Sequence, residues 1–106
     1  MMVSINSVAL LGSLKGEVRV NQTANSQVAN FTLITESLSI NKKVFTTYHN
    51  CTAWGNMVDI IKETNEGDIV GVQGELRSES WEQNGEKRYK TVVVCNRVNV
   101  ETDEVF

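Results

Sequence analysis

The chain has 106 residues, of which 41% are hydrophobic and 22% are charged, and its formal net charge is -3. This length fits a single globular domain. No apolar run approaches the ~20 residues of a membrane-spanning helix, and the start of the chain does not read as a secretory signal, so we expect a cytoplasmic protein without a membrane partner. The net charge excludes a strongly basic nucleic-acid clamp.

Charge is concentrated at the end of the chain, where the last six residues, ETDEVF, include three of the 13 acidic residues. Without these three, ten acidic residues balance the ten basic ones, so any charged binding face must arise from local clustering. We therefore divide the chain into a domain at 1–100 and a short acidic end at 101–106.

Two cysteines, Cys51 and Cys95, stand far apart in the sequence, and His49 is the only histidine. A structural zinc site needs about four ligands, which these residues do not supply. We expect two buried thiols in a reducing compartment, no metal and no cofactor.

The dominant period along the chain is two, which is typical of β-strands. The absence of proline leaves every candidate strand its full set of backbone donors. Five strands are predicted, at 7–12, 28–35, 43–54, 68–81 and 88–100.

One segment, 56–67, has helical periodicity instead. Met57, Ile60, Ile61 and Thr64 form one stripe. We expect Asn56 to cap the helix and Gly67 to end it.

One helix between the third and fourth of five strands is the layout of an OB-fold, a Greek-key barrel that binds oligonucleotides. The fold class is therefore predicted as all-β. A β-sandwich is the alternative.

A hairpin is predicted around Asn84-Gly85, a dipeptide that favours a type I′ turn. Counting outward from the turn pairs Trp81 with Arg88 and Leu76 with Val93. The side expected to face the core then carries Val72, Leu76, Tyr89 and Val93.

The other side of this hairpin carries Trp81 among Arg77, Arg88 and Lys90. An exposed indole surrounded by cations can stack bases while the cations hold phosphates. Two alternatives remain open: a cation–π pair between Trp81 and Arg88, or a bulge that turns the indole into the core.

A second aromatic set lies in TYHNCTAWG, where Tyr48 and Trp54 share one parity with Asn50 and Thr52. The side chains at the alternate positions are smaller and more apolar, so Tyr48 and Trp54 are expected to face outward. The alternative is that Trp54 belongs to the core, as aromatic residues in strands often do.

Through most of 5–98 the chain resembles the bacterial single-stranded DNA-binding protein family with one OB-fold per subunit. The segments that carry the resemblance are NSVALLGSLKGEVRV, VANFTLITES, HNCTAWGN and GELRSESWEQNGEKRYKTVVV, in this order and spacing.

The resemblance implies that Tyr48, Trp54 and Trp81 stack DNA bases. It also implies that the loop SLSINKK arches over the DNA, with phosphate contacts from Arg19, Lys42, Lys43 and Arg77. His49 would lie at a subunit contact, since family members are mostly homotetramers built from dimers.

The chain also departs from the family pattern. It lacks a tryptophan in TESLSIN and has Asn50, Asn56, Glu79 and Ser80 where basic residues are common, which implies weaker binding and a smaller salt slope. The family ends in an acidic tip with a terminal phenylalanine. The residues Glu101, Asp103, Glu104 and Phe106 are therefore either a shortened tip that recruits replication or repair proteins, or a solvated end.

Taken together, these features predict a non-catalytic protein that coats single-stranded DNA in replication, repair or recombination, encoded by a bacterium, phage or plasmid. The alternative is an OB-fold accessory protein of the primosome type that binds proteins and only weakly DNA. No nucleotide-binding loop or nucleophile motif suggests an enzyme. The apolar segment VALL, with Val8 and Leu10, is expected to join copies of the chain. The resemblance to the family implies a tetramer more readily than a dimer.

Overall fold

A computed structural model of the chain describes residues 3–101 as five β-strands and one short helix. The elements are, in chain order, β1 (Val8–Gln22), β2 (Gln27–Leu38), β3 (Val44–Trp54), α1 (Asn56–Ile61), β4 (Ile69–Gln83) and β5 (Glu86–Glu101). This is the order of elements predicted from the sequence.

The strands form a closed barrel in the order β1-β2-β3-β5-β4. All neighbours pair antiparallel except β3 and β5, which pair in parallel where Cys51 lies opposite Val93 and Thr52 opposite Val94. This short parallel contact closes the ring. The structure therefore confirms an all-β barrel with its helix between the third and fourth strands.

The first strand is longer than predicted, since β1 covers Val8–Gln22 and not 7–12. Its first half pairs with β4 and its second half with β2, and the register with β2 shifts between Lys15 and Arg19. Gly16 has φ +73° at this shift. A glycine tolerates this conformation without steric cost, so the strand bends there and joins both sides of the barrel.

The helix is shorter than predicted, since it ends at Ile61 and not at Gly67. Gly55 occupies the N-cap position and no side chain caps the helix, so the expected cap at Asn56 is wrong. The expected stripe is also wrong in part, because Val58 and Ile61 are buried while Ile60 is half-exposed. The helix packs on β2, β3 and β5, and these contacts select the buried face.

The core fills the barrel with aliphatic side chains from every strand and from the helix. Leu14, Leu33, Val58, Ile61 and Val70 are among its fully buried members. Cys51 and Cys95 are both free and buried in it, as predicted. A hydrogen bond with Cys95, together with burial, raises the pKa of the Cys51 thiol.

The hairpin between β4 and β5 has the predicted turn and register. Asn84 and Gly85 both have positive φ, at 54° and 80°, as a type I′ turn requires. Trp81 lies opposite Arg88, and Leu76 opposite Val93.

The predicted core side of this hairpin is only partly correct. Val72 and Val93 are buried, but Leu76 is 48% exposed and Tyr89 67% exposed. The outer parts of β4 and β5 pair only with each other, beyond the two positions where β3 joins β5. With no third strand beside them, the inward-pointing side chains of these arms have nothing to cover them.

Candidate nucleic-acid interface

A groove of about 700 Å³ runs over the outer face of the barrel. Its floor lies on β2 and β3, while β1, β4 and β5 supply its sides. Its lining includes Arg19, Asn30, Thr32, Asn50, Thr52, Trp54, Glu79 and Lys90.

All three aromatic residues proposed from the sequence lie at the surface, with exposed fractions of 46% for Trp54, 43% for Trp81 and 58% for Tyr48. Trp54 lines the groove. Tyr48 stands two positions from Asn50 on β3, and Trp81 two positions from Glu79 on β4, so each continues the groove-lining face of its strand. The three rings therefore share one outer surface.

Cations lie beside two of these rings. The Lys90 ammonium is 5.7 Å from the centroid of the Trp81 ring, and the Lys15 ammonium is 5.9 Å from that of Tyr48. The cation over Trp81 is thus Lys90, although Arg88 lies directly opposite Trp81 in the ladder. Sequence reasoning missed Lys15, because it ended the first strand before this residue.

Arg19 on β1 and Lys90 on β5 flank the groove from opposite sides, because the strand order places β2 and β3 between them. Arg88 and Arg77 carry intramolecular ion pairs. The Arg88 guanidinium is 3.7 Å from the Glu86 carboxylate, and Arg77 pairs with Glu75.

Lys42 and Lys43 are not brought into the groove. They lie in the turn at 39–43 between β2 and β3, which Ser39 closes through a 2.9 Å hydrogen bond from its backbone N–H to the Lys43 carbonyl. The Lys43 ammonium lies 5.7 Å from the centroid of the Phe45 ring. The structure thus shows a hairpin end here, with β2 and β3 extending to Leu38 and Val44.

The floor of the groove carries two polar pairs across β2 and β3 that sequence reasoning also missed. The Thr52 hydroxyl donates to the Asn30 side-chain oxygen at 3.1 Å, and the Thr32 hydroxyl donates to that of Asn50 at 3.5 Å. The signal for the β2 half was present in VANFTLIT, where Asn30 and Thr32 alternate with apolar residues.

The residues predicted at subunit contacts do not line the groove. Val8 and Leu10 are half-buried and pack against the core, whereas Leu11 is 71% exposed. His49 is half-buried, and its Nε2 lies 2.7 Å from the Thr35 hydroxyl. The contact of these residues with other subunits stays a prediction.

Across residues 3–101, no three or more His, Cys, Asp or Glu side chains are grouped so that they could hold a metal ion. The helix found over the same range, Asn56–Ile61, lacks the length and apolar character needed to cross a membrane.

Known proteins with sequence similarity include the single-stranded DNA-binding protein of Staphylococcus epidermidis, 27% identical over 82% of this chain and 69% of that protein. Single-stranded DNA-binding protein 1 of Synechocystis is 28% identical over 92% of this chain and 84% of its own length. In structure, the Plasmodium falciparum SSB complex with ssDNA matches with a TM-score of 0.83 and 25% identity, covering 94% of this chain and 96% of that chain.

This structural match identifies the barrel as an OB-fold of the SSB type. The model of the single-strand binding protein family matches residues 5–101, which is nearly the whole described part of the chain. The chain therefore belongs to the single-strand binding protein family.

Proposed function

We propose that this chain binds single-stranded DNA along the groove, with bases stacked on Trp54, Trp81 and Tyr48. The observation that carries the proposal is that all three rings are about half exposed on one outer surface that also holds Lys90. Family membership and the similarity to an SSB complexed with ssDNA support it.

The affinity would come from two sources. Stacking on an aromatic ring contributes ~1–3 kcal/mol per base and tolerates any base, because every base has a π-face. Lys and Arg side chains add phosphate contacts, whose contribution falls with salt. Arg19 and Lys90 are the best placed for this role, with Lys15 beside Tyr48.

The other proposed phosphate contacts are Arg77, Arg88, Lys42 and Lys43. The two arginines must exchange an intramolecular carboxylate for a phosphate. The two lysines would meet only DNA that extends past the groove to the β2–β3 turn. We therefore expect these four to contribute less than Arg19 and Lys90.

We propose a homo-oligomer, a tetramer rather than a dimer. Residues 8–11 of β1 pair with β4 on one edge, while pairing with β2 begins only at Ser13. Within residues 3–101 the second edge of 8–11 thus has no strand partner, and unpaired edges favour association. Val8 and Leu10 belong to this segment, as does Leu11 with its exposed apolar side chain. His49 hydrogen-bonds to Thr35, whose side chain lies beside Gly12 at the end of the segment, so we propose Val8, Leu10 and His49 as the contacts.

The biological role we propose is to coat and protect DNA in replication, repair or recombination, by binding and without catalysis. The site of action is the cytoplasm of a bacterium, with a phage or plasmid as a further source of the chain. Contacts with replication or repair proteins are proposed through Glu101, Asp103, Glu104 and Phe106. Of these, Asp103, Glu104 and Phe106 lie outside the described residues.

Titration of tryptophan fluorescence with oligo-dT at low salt tests the proposal. The chain has two tryptophans, so Trp54→Phe and Trp81→Phe each leave a single reporter. We expect quenching in both variants, because both indoles stack. An unchanged signal from both reporters, with no shift in light scattering, would contradict DNA binding on this surface.

A further inference from the structure

The two polar pairs on the groove floor form a square between the aromatic positions of β3. Along the outward face of β3 the order is Tyr48, Asn50, Thr52 and Trp54. Asn50 lies opposite Thr32 on β2, and Thr52 lies opposite Asn30. DNA that stacks on both Tyr48 and Trp54 must pass over this square.

The hydrogen bonds within the square determine what it offers to a base. Both amide oxygens accept from threonine hydroxyls, Asn30 from Thr52 and Asn50 from Thr32. Each amide still has two N–H donors. Within residues 3–101 neither amide nitrogen donates a hydrogen bond to another protein atom. The square therefore presents hydrogen-bond donors to the groove.

The flanking strands favour a DNA orientation in which bases meet this square. Arg19 lies on β1 and Lys90 on β5, one on each side of the β2–β3 floor. If these cations hold phosphates at the sides, the bases between them point to the floor. A base edge there can accept hydrogen bonds from the amides.

We propose that Asn50 and Asn30 select keto pyrimidines over cytosine at the nucleotides that cross the square. Thymine and uracil present the O4 acceptor where cytosine presents the N4 amino donor. A donor on the protein pairs with O4 and is left facing a second donor when cytosine takes the position. An unpaired polar group of this kind costs affinity.

This inference rests on the proposed function, since it concerns the same groove. The stacking rings do not distinguish between bases. The inference therefore adds a base preference to this surface and assigns it to the amides of Asn30 and Asn50. Thymine and cytosine are both pyrimidines, so comparing them holds ring size nearly constant. Uracil tests whether the thymine methyl group contributes.

The experiment compares affinities for oligo-dT, oligo-dU and oligo-dC of one length, in the wild type and in Asn50→Asp. The substitution keeps an oxygen that accepts from Thr32 and replaces the amide donor with a second acceptor. Asn99→Asp is the matched control, because Asn99 is an exposed β5 residue beside Gly71 and Gln73, outside the groove. It adds the same charge.

We expect the wild type to bind oligo-dT and oligo-dU about three- to tenfold more tightly than oligo-dC, the effect of roughly one hydrogen bond. In Asn50→Asp this ratio falls, because only the Asn30 amide still donates, while Asn99→Asp retains it. Because each ratio is taken within one variant, the general loss of affinity from the added charge cancels.

Equal affinity of the wild type for the three oligonucleotides would overturn the inference but leave the proposed function intact. A preference for oligo-dC would also overturn it, since the amide oxygens would then face the groove. The same holds if Asn50→Asp retains the wild-type ratio. If no oligonucleotide binds at low salt, the proposed function fails, and this inference fails with it.

Discussion

Lys90 holds its ammonium 5.7 Å from the centroid of the Trp81 ring and also lines the groove that contains Trp54. In the antiparallel ladder Lys90 lies opposite Glu79, so its contact with Trp81 is diagonal. Diagonal neighbours on one face of a sheet are within reach of long and aromatic side chains. Lys90 thus lies between the Trp81 ring, on the outer part of the β4–β5 hairpin, and the groove over β2 and β3.

The first prediction concerns the charge of Lys90. We expect Lys90→Gln to weaken DNA binding and to make the dependence of log affinity on log salt shallower by about 0.7, the value for one phosphate contact on a single strand. Lys62→Gln is the control, because Lys62 lies at the end of the helix in an ion pair with Asp59. A salt slope that is equal in the two variants would argue against a phosphate at Lys90.

The second prediction concerns the close approach of β4 to β5 at Gly74. A Cβ atom at this position would collide with the backbone carbonyl of Val94. We expect Gly74→Ala to lower the free energy of unfolding by about 1–3 kcal/mol, the range for overpacking. Urea denaturation measures the change.

Gly71 on the same strand provides the control for Gly74. A Cβ there would meet the Leu11 Cδ1 atom at 3.6 Å, an ordinary contact. We expect Gly71→Ala to change the free energy of unfolding by about 0.5 kcal/mol or less in either direction. Similar destabilisation by both substitutions would show that strand propensity, and not the approach to Val94, sets the cost.

The third prediction tests which face of the helix is buried. Ile61→Ala removes a fully buried side chain and should destabilise the fold by about 2–5 kcal/mol. Ile60→Ala, at the neighbouring half-exposed position, should cost only about 0.5–1 kcal/mol. Thermal and urea unfolding of the two variants distinguish them. The reverse order would mean that the helix presents its other side to the barrel.

The fourth prediction concerns Asp59, whose pKa is lowered from 3.8 by a hydrogen bond from Gln27, and further by Lys62. A carboxyl whose pKa is lower in the folded state stabilises the fold above its unfolded pKa, and this contribution is lost as the pH falls through the folded pKa. Asp59→Asn should therefore destabilise slightly at neutral pH and not at a pH below the folded pKa.

Carbon-13 NMR titration of the carboxyl group measures the Asp59 pKa directly. Gln27→Ala should raise it toward 3.8, because the Gln27 amide, 3.1 Å from the carboxylate, stabilises its charged form. A pKa that stays low in this variant would assign the shift to Lys62, 3.2 Å away.

Local patterns in the sequence were sufficient for several features of the fold. The Asn84-Gly85 dipeptide determined the turn, and counting outward from it paired Trp81 with Arg88 as the structure does. Both follow from backbone geometry over a few residues. The alternation along β3 likewise separated exposed Tyr48 and Trp54 from buried Cys51 and Ala53.

Other features depend on contacts between distant strands. Period two gives the face on which a side chain lies, but whether that face is covered depends on where the barrel closes. Leu76 and Tyr89 have the parity of core residues, yet they are exposed because β3 joins β5 only near Val93. The bend at Gly16 likewise follows from β1 pairing with two different strands.

By itself the sequence determined five strands, one helix and their order, because strand periodicity and turn geometry are local, and it favoured an outward position for three aromatic rings. Only the tertiary structure decided that Lys90 covers Trp81, and that Asn30 and Asn50 meet two threonines on the groove floor. Each contact joins side chains on two strands, and which direct or diagonal neighbour a side chain reaches depends on the packing around it. The periodicity of a single strand does not contain that information.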